Sequence, residues 1–279
     1  MTAYAIHELN AAIIKAEAGN WGPDDAQHAW DEGWAFYHGP DDSGADFDGC
    51  GPYATADKRA GNFGTDNADG TAAANVATLA AMNAGLTAMQ NEDMQGLLDA
   101  RDEVLKNIVI VYSQASVRYA SKMTEDLAAG DADDYDKHQA EGHAFFRVIE
   151  AYVADHTDAC YNNQTHGMAY IGASAAATCD AFTWTQYQGQ GDYMCYNTVV
   201  HMVYAEATTE EICNGFASMF PGSGMPGYYA DYGASQIVNI FDLSDDGDTT
   251  ADYEADIRSY LQPAWDALGI TAEDIGTLQ

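Results

Sequence analysis

The stretch HQAEGHAFFRVIE, from His138 to Glu150, decides how this chain folds. Its apolar residues recur at three- and four-residue spacing, which predicts an amphipathic helix. On a helical wheel Phe145 lies about 40° from Glu141 and Val148 about 20° away on the other side, so this carboxylate is expected within the apolar stripe. An ionised carboxylate removed from water is costly unless it is paired or bound to a metal. Glu141 is therefore expected to have a partner.

A shortened copy of this motif, HAWDEGWAFYHG, lies at residues 28–39, and its Glu32 precedes Glu141 by 109 positions. On the same wheel Phe36 falls about 40° from Glu32, which repeats the arrangement of the later motif. Two carboxylates at matching positions are expected to converge on one cation. The alternative is that each carboxylate accepts hydrogen bonds from neighbouring protein groups.

Good helix formers dominate long segments of the chain, and no sustained alternation of polar and apolar residues indicates a sheet. Helices are therefore expected at residues 72–90, 92–124, 133–154, 193–219 and 252–267. Pro263 is expected to break or kink the last of them. Segments rich in Gly, Pro, Asn and Asp predict loops at residues 39–70, 156–192 and 221–233. Together with the repeat, these features predict an all-α fold of two related helical halves, residues 1–110 and 111–279, packed into one bundle-like unit with long cysteine-containing loops.

The 279 residues include 44 acidic side chains and only 10 lysines and arginines, which gives a formal net charge of −34. This charge repels nucleic acids and anionic membrane surfaces, so neither is expected as a partner. No apolar run approaches the roughly 20 residues of a membrane-spanning helix, and no membrane insertion is expected. The surplus acid is typical of proteins that work in salty water. The alternative is that part of it collects cations.

Five cysteines lie outside any CxxC pair, which argues against a zinc knuckle. Their spacing permits disulfides between Cys160 and Cys179 and between Cys195 and Cys213, with Cys50 left over, although the sequence alone does not fix the connectivity. The N-terminus shows no signal peptide, so either the protein is intracellular or its leader has been removed. The cysteines and one glycosylation sequon favour a secreted, periplasmic or cell-surface protein.

Tyrosines and histidines add donors for a hard cation. Tyr112 and Tyr119 are seven residues apart and share one face of a predicted helix. Phenolate is a strong ligand for ferric iron, although core tyrosines give the same spacing. Half of the eight histidines lie in or beside the two motifs, at positions 28, 38, 138 and 143. No GxSxG, Walker or HExxH motif is present, so the chain is not expected to be an enzyme.

An acidic segment near the C-terminus, Asp242–Glu254, resembles a calcium loop with Gly247 in the sixth position. Tyr253 occupies the twelfth position, where a calcium loop has glutamate. The interpretation of this segment as a solvated loop is therefore favoured over calcium binding.

Four segments carry a resemblance to a known family, namely EGWAFY (32–37), YATADKRAGNFGT (53–65), VYSQASVRYASKM (111–123) and EGHAFFRVIEAYV (141–153). Across roughly residues 25–240 the chain resembles the algal iron-assimilation proteins, the Fea-type, low-iron-inducible periplasmic group related to phytotransferrin. The resemblance implies a secreted or cell-surface ferric-iron binder that serves high-affinity uptake. It also implies carbonate as a synergistic anion and a membrane uptake machinery as partner.

The same resemblance implies a set of site residues, with Glu32 and Glu141 as carboxylate ligands, His138 as the imidazole, Tyr112 or Tyr119 as the phenolate, and Arg147 or Arg59 as the carbonate clamp. His38 stands where the second repeat has Arg147, so the halves are not equivalent and one site at their junction is expected. The alternatives are an imelysin-like helical iron protein, whose HxxE pattern His138 and Glu141 fit, a metal-dependent hydrolase, and a non-metal acidic surface protein.

Overall fold

The structure is a computed structural model that describes residues 1–39, 51–157, 159–162, 169–171, 179–186, 193–199, 202–204, 207–217, 229–230 and 233–279. Helices dominate these residues, and the all-α prediction is confirmed. The helices are α1 (Thr2–Glu17), α2 (Ala26–His38), α3 (Pro52–Phe63), α4 (Ala73–Gln90), α5 (Met94–Ala129), α6 (Ala132–Thr157), α7 (Glu210–Ala217), α8 (Gly233–Ile240), α9 (Tyr253–Leu268) and α10 (Ala272–Ile275).

The chain divides into two compact units. The first consists of residues 1–118 and 268–279, and the second of residues 119–267, so the division falls within α5. The origin of the two units in a duplication, and their packing into one bundle-like body, stay predictions.

In the first unit α2 packs closely against α1 and α4. Gly33 permits the approach to α1, because a Cβ added there would lie only 3.0 Å from Leu9 Cδ2. Trp30 fixes the approach to α4: its Nε1 donates a hydrogen bond to the Met82 carbonyl at 2.9 Å, and its ring covers Gly85. The buried face of α2 is thus set by a tryptophan and by glycines that leave room for neighbouring side chains.

A polar network crosses the same unit behind this apolar layer. The Tyr37 hydroxyl donates to Asn75 Oδ1 at 2.7 Å, and Asn75 Nδ2 donates in turn to Asp57 Oδ1 at 2.8 Å and to the Tyr53 carbonyl at 2.9 Å. Burial raises the pKa of the Tyr37 phenol, which therefore stays neutral and acts as a donor. These bonds tie α2, α3 and α4 together through groups that would be costly to bury unpaired.

In the second unit α6 packs against α8. Gly142 lies against Phe241, the residue that follows α8, and a Cβ at position 142 would lie 2.2 Å from the Phe241 ring. Gln139, one turn earlier, donates to the Asp245 carbonyl at 3.2 Å. The segment after α8 is therefore held on the buried face of α6.

Two small antiparallel sheets also belong to the second unit, and the sequence did not predict them. Their strands are β1 (Ala159–Tyr161), β2 (Ala169–Ile171), β3 (Phe182–Thr185), β4 (Met194–Asn197), β5 (Met202–Val203) and β6 (Tyr229–Ala230), in the orders β2-β1-β6 and β3-β4-β5. The helix predicted over 193–219 is wrong, because β4 and β5 occupy its first part and only α7 its last. Strands of two to four residues are too short to show an alternating pattern.

Other boundaries also differ from the predictions. The loop predicted over 39–70 contains α3, which begins at Pro52, a residue suited to the first turn of a helix. Pro263 does not end α9, which continues to Leu268. None of the described helices combines the length and apolarity needed to cross a bilayer.

Both disulfides permitted by the sequence are confirmed, Cys160 with Cys179 and Cys195 with Cys213. Their sulfur-bearing side chains form a buried cluster with Phe182, Ala207 and Phe216. Cys50 lies outside the described residues. Disulfides persist in oxidising surroundings, so the two bonds indicate an extracytoplasmic setting.

Candidate metal centre

The residues that α6 buries are shifted by one sequence position from the stripe that the helical wheel predicts. Its buried residues recur at helical spacing and include Tyr135, Gln139, Gly142, Phe146, Ile149 and Val153. Glu141 is partly buried on the flank of this face, beside Phe145. The prediction centres the stripe on Phe145 and Val148, which are themselves only partly buried, and one residue turns a helix by about 100°. Glu141 was predicted to lie in the core face, but it lies at the edge of that face.

Glu32 departs further from the prediction of a buried acid. Its side chain is 46% exposed and its Oε1 lies 3.5 Å from Nε2 of His28, which is also exposed. The buried face of α2 instead passes through Trp30, Gly33 and Tyr37. Because Gly33 corresponds to Gly142 and Tyr37 to Phe146, the repeated motif preserves a glycine at a helix contact and an aromatic one turn later. Helix packing accounts for the repeat without a buried carboxylate.

Three donor groups meet between the C-terminal part of α5 and the N-terminal part of α6. His138 Nδ1 lies 2.6 Å from Asp126 Oδ2, and the two side chains are only 16% and 13% exposed. The Tyr119 ring centre lies 6.0 Å from that of His138, and the tyrosine stacks on Phe145 at 5.4 Å. The phenol, the imidazole and the carboxylate therefore form one group in the second unit.

Helix periodicity explains why these residues meet. Asp126 follows Tyr119 by seven residues, and Phe145 follows His138 by seven, so each pair lies on one face of its helix two turns apart. The two helices are joined through Gly130, whose φ of 73° is in the left-handed region that favours glycine. This tight connection lets α6 return along α5, with Asp126 beside His138 and Tyr119 beside Phe145.

The Asp126–His138 contact has a chemical consequence for the imidazole. A carboxylate accepts, so Nδ1 is the donor and Nε2 of a neutral ring remains as a lone-pair donor for a metal. A carboxylate behind a histidine also fixes the ring orientation, as is common where histidine binds metals. Together with the phenol of the neighbouring Tyr119, the centre offers nitrogen and oxygen donors. Glu141, which is partly buried, lies three residues after His138 on α6.

The remaining predicted site residues lie elsewhere. Tyr112 belongs to the first unit, where its hydroxyl lies 2.5 Å from Thr2 Oγ1 and burial raises the pKa of its phenol. Arg59, on α3, is 3% exposed. Arg147 is 56% exposed and pairs with Glu150, one turn further along α6. Whether Glu32 and Glu141 share a cation stays a prediction.

No three His, Cys, Asp or Glu side chains form a group able to hold a metal ion, as far as the described residues extend. The candidate centre has two residues of these types, Asp126 and His138, and takes its third donor from a tyrosine. Sequence reasoning missed Asp126. Asp126 follows Tyr119 by seven residues, which is the one signal of it in the sequence. Its contact with His138 depends on how α5 and α6 are aligned against each other, which the sequence does not give.

The acids of the segment that resembles a calcium loop have structural partners. Asp242, Asp245 and Asp248 each accept a hydrogen bond from the backbone N–H two residues further on. These bonds and those from the hydroxyls of Ser244 and Thr250 lower the pKa values of Asp242 and Asp248. The carboxylates shape turns, which agrees with the interpretation as a solvated loop.

No family model, curated protein or solved structure matches this chain.

Proposed function

We propose that this chain is an extracytoplasmic ferric-iron-binding protein of high-affinity iron uptake, with carbonate as a synergistic anion. The observation that carries the proposal is the group of Tyr119, His138 and Asp126, partly buried between α5 and α6. The role is binding and not catalysis, and the iron is cargo handed on to an uptake machinery in the membrane.

The donor chemistry supports ferric iron. A trivalent ion lowers the pKa of a coordinated phenol far below its usual value of about 10, so Tyr119 would bind as phenolate. Nε2 of His138 and a Glu141 oxygen would complete the protein ligands, and carbonate oxygens would occupy remaining positions. Arg147 would hold the carbonate by exchanging its ion pair with Glu150 for one with the anion. Arg59, the other candidate for this role, is a buried guanidinium in the first unit.

The setting of the protein is consistent with this role. Two disulfides indicate an oxidising compartment, and iron outside the cytoplasm is mostly ferric. The net charge of −34 attracts cations to the surface and raises their local concentration. A secreted, periplasmic or cell-surface location belongs to the same proposal.

Tyr119→Phe is expected to abolish the visible absorption band that Fe(III) and bicarbonate produce in the unmodified protein. The band arises from charge transfer between phenolate and iron, and phenylalanine removes only the oxygen. The measurement is an absorption titration with Fe(III), with and without bicarbonate.

Tyr112→Phe is the matched control, because it removes a phenol that is hydrogen-bonded to Thr2. The control is expected to retain the band. A band that survives in Tyr119→Phe would remove Tyr119 from the site. A chain that binds no iron in any titration would instead be an acidic surface protein.

Glu141→Gln is expected to weaken iron binding at least about tenfold, whereas Glu32→Gln is expected to leave it within about twofold, differences of about 1.4 and 0.4 kcal/mol. The reason is exposure: Glu141 is partly buried and lies three residues after His138 in the sequence, whereas Glu32 is half exposed beside His28. Competition titrations against a chelator measure both constants. Loss in both variants would support one cation shared by the two repeats, and full affinity in both would exclude these carboxylates.

A further inference from the structure

A cleft of about 520 Å³ lies in the second unit, where the end of α6, the start of α8 and the middle of α9 meet. It is separate from the candidate metal centre, because His156 at the cleft follows His138 by 18 residues, about 27 Å along α6. Its volume is within the range of about 300–1,000 Å³ that is usual for small-molecule sites.

The wall between α6 and α8 is closely packed. Thr157 Oγ1 donates to the Val153 carbonyl at 3.0 Å and accepts the Ala234 N–H at 3.0 Å. Gly233 lies so near that an added Cβ would be 2.5 Å from Thr157 Cβ. The cleft therefore has a fixed wall whose hydroxyl is already used in the fold.

Other polar groups at the cleft have hydrogen-bonding capacity to spare. Gln236 and Tyr260 are partly buried, and no described residue forms a hydrogen bond with either side chain. Pro263 has no N–H, so the Ser259 carbonyl, four residues earlier in α9, lacks its helical donor. The cleft thus presents an amide, a phenol and a backbone carbonyl that together can donate and accept hydrogen bonds.

The lining also limits the charge of a ligand. None of the described lining residues is Asp, Glu, Lys or Arg. The net charge of the chain repels anions, and a cation would find no carboxylate among the described lining residues, where His156 is the basic side chain. The Tyr260 ring and Pro263 add apolar surface beside the polar groups. We propose that this cleft binds a neutral, polyhydroxylated small molecule of the monosaccharide class.

The test is saturation-transfer NMR of the full chain with glucose, galactose, mannose and N-acetylglucosamine, each compared with a charged counterpart, glucuronic acid or glucosamine. Transfer to at least one neutral sugar, and weaker transfer to the charged ones, is expected. Gln236→Ala should weaken binding roughly tenfold, the effect of losing a hydrogen bond in a partly buried site. Pro263→Ala should weaken it comparably, because alanine restores the N–H that occupies the Ser259 carbonyl.

Gln262→Ala is the matched control, since Gln262 lies on the exposed side of α9, bonded to Asp266, and does not line the cleft. It should bind like the unmodified chain. Pro263→Ala favours the helix, so its loss of binding cannot be attributed to unfolding. The proposal would be overturned if no neutral sugar received saturation, or if the transfer survived both cleft variants. Neither result bears on iron, which is measured separately.

Discussion

Replacing Gly142 with alanine is expected to lower the free energy of unfolding by about 2 kcal/mol, within the range of about 1–3 kcal/mol found for overpacked cores. The added Cβ would lie 2.2 Å from Phe241 Cε1 and 2.7 Å from two further ring atoms. Phe241 is fully buried, so its ring has no free space to enter. The better helix propensity of alanine, worth about 1 kcal/mol, offsets only part of this cost. Urea unfolding followed by circular dichroism measures the difference.

Gly61→Ala is the matched control, because Gly61 lies on an exposed face of α3 and an added Cβ would meet nothing within 4 Å. This variant should gain up to about 1 kcal/mol, since only the propensity term remains. Gly33→Ala should fall between the two, as its Cβ would meet the flexible end of Leu9 at 3.0 Å. If Gly142→Ala were as stable as Gly61→Ala, close packing would not explain the repeated glycine.

This contrast also shows how far sequence periodicity determines the fold. The long helices α4, α5 and α6 follow from helix formers and apolar spacing, whereas the duplication that the repeated motif suggests stays a prediction. A hydrophobic wheel, however, gives weight to aromatic side chains and none to glycine. It therefore centred both motifs on Phe36 and Phe145, while Gly33 and Gly142 lie at close contacts with neighbouring side chains. Because of that error both glutamates were predicted in the core, although Glu141 lies at its edge and Glu32 is half exposed.

The metal centre was predictable only in part for a related reason. His138 and Tyr119 could be named from residue type and spacing, but Asp126 enters through a contact between helices. That contact depends on where α5 ends and on the left-handed turn at Gly130, and helix ends are poorly marked in sequence. The short strands escaped prediction because local pattern does not stabilise them. The short strands are instead stabilised by disulfides and a small apolar cluster.

The double variant Cys195→Ala, Cys213→Ala is expected to lose about 3 kcal/mol of stability in the β3-β4-β5 region. The bond spans 18 residues, and closing a loop of that size restricts the unfolded chain by about this amount in the loop-entropy account. The region has little else to hold it, because β3 and β4 have four residues each and β5 has two. Alanine avoids introducing a buried hydroxyl among Phe182 and Phe216.

Hydrogen exchange measured by mass spectrometry separates this loss from a general one. Peptides covering β3 and β4 should exchange about a hundredfold faster in the variant, the effect of 3 kcal/mol on a local opening equilibrium. Peptides from α1 and α2 should exchange at the unmodified rate, because their packing rests on Leu9, Trp30 and Gly33 and not on a disulfide. Unchanged protection in β3 and β4 would mean that the apolar cluster alone holds the sheet. Equal acceleration in α1 would mean that the disulfide stabilises the chain globally, because losing a bond that acts only locally would not speed exchange in the other unit.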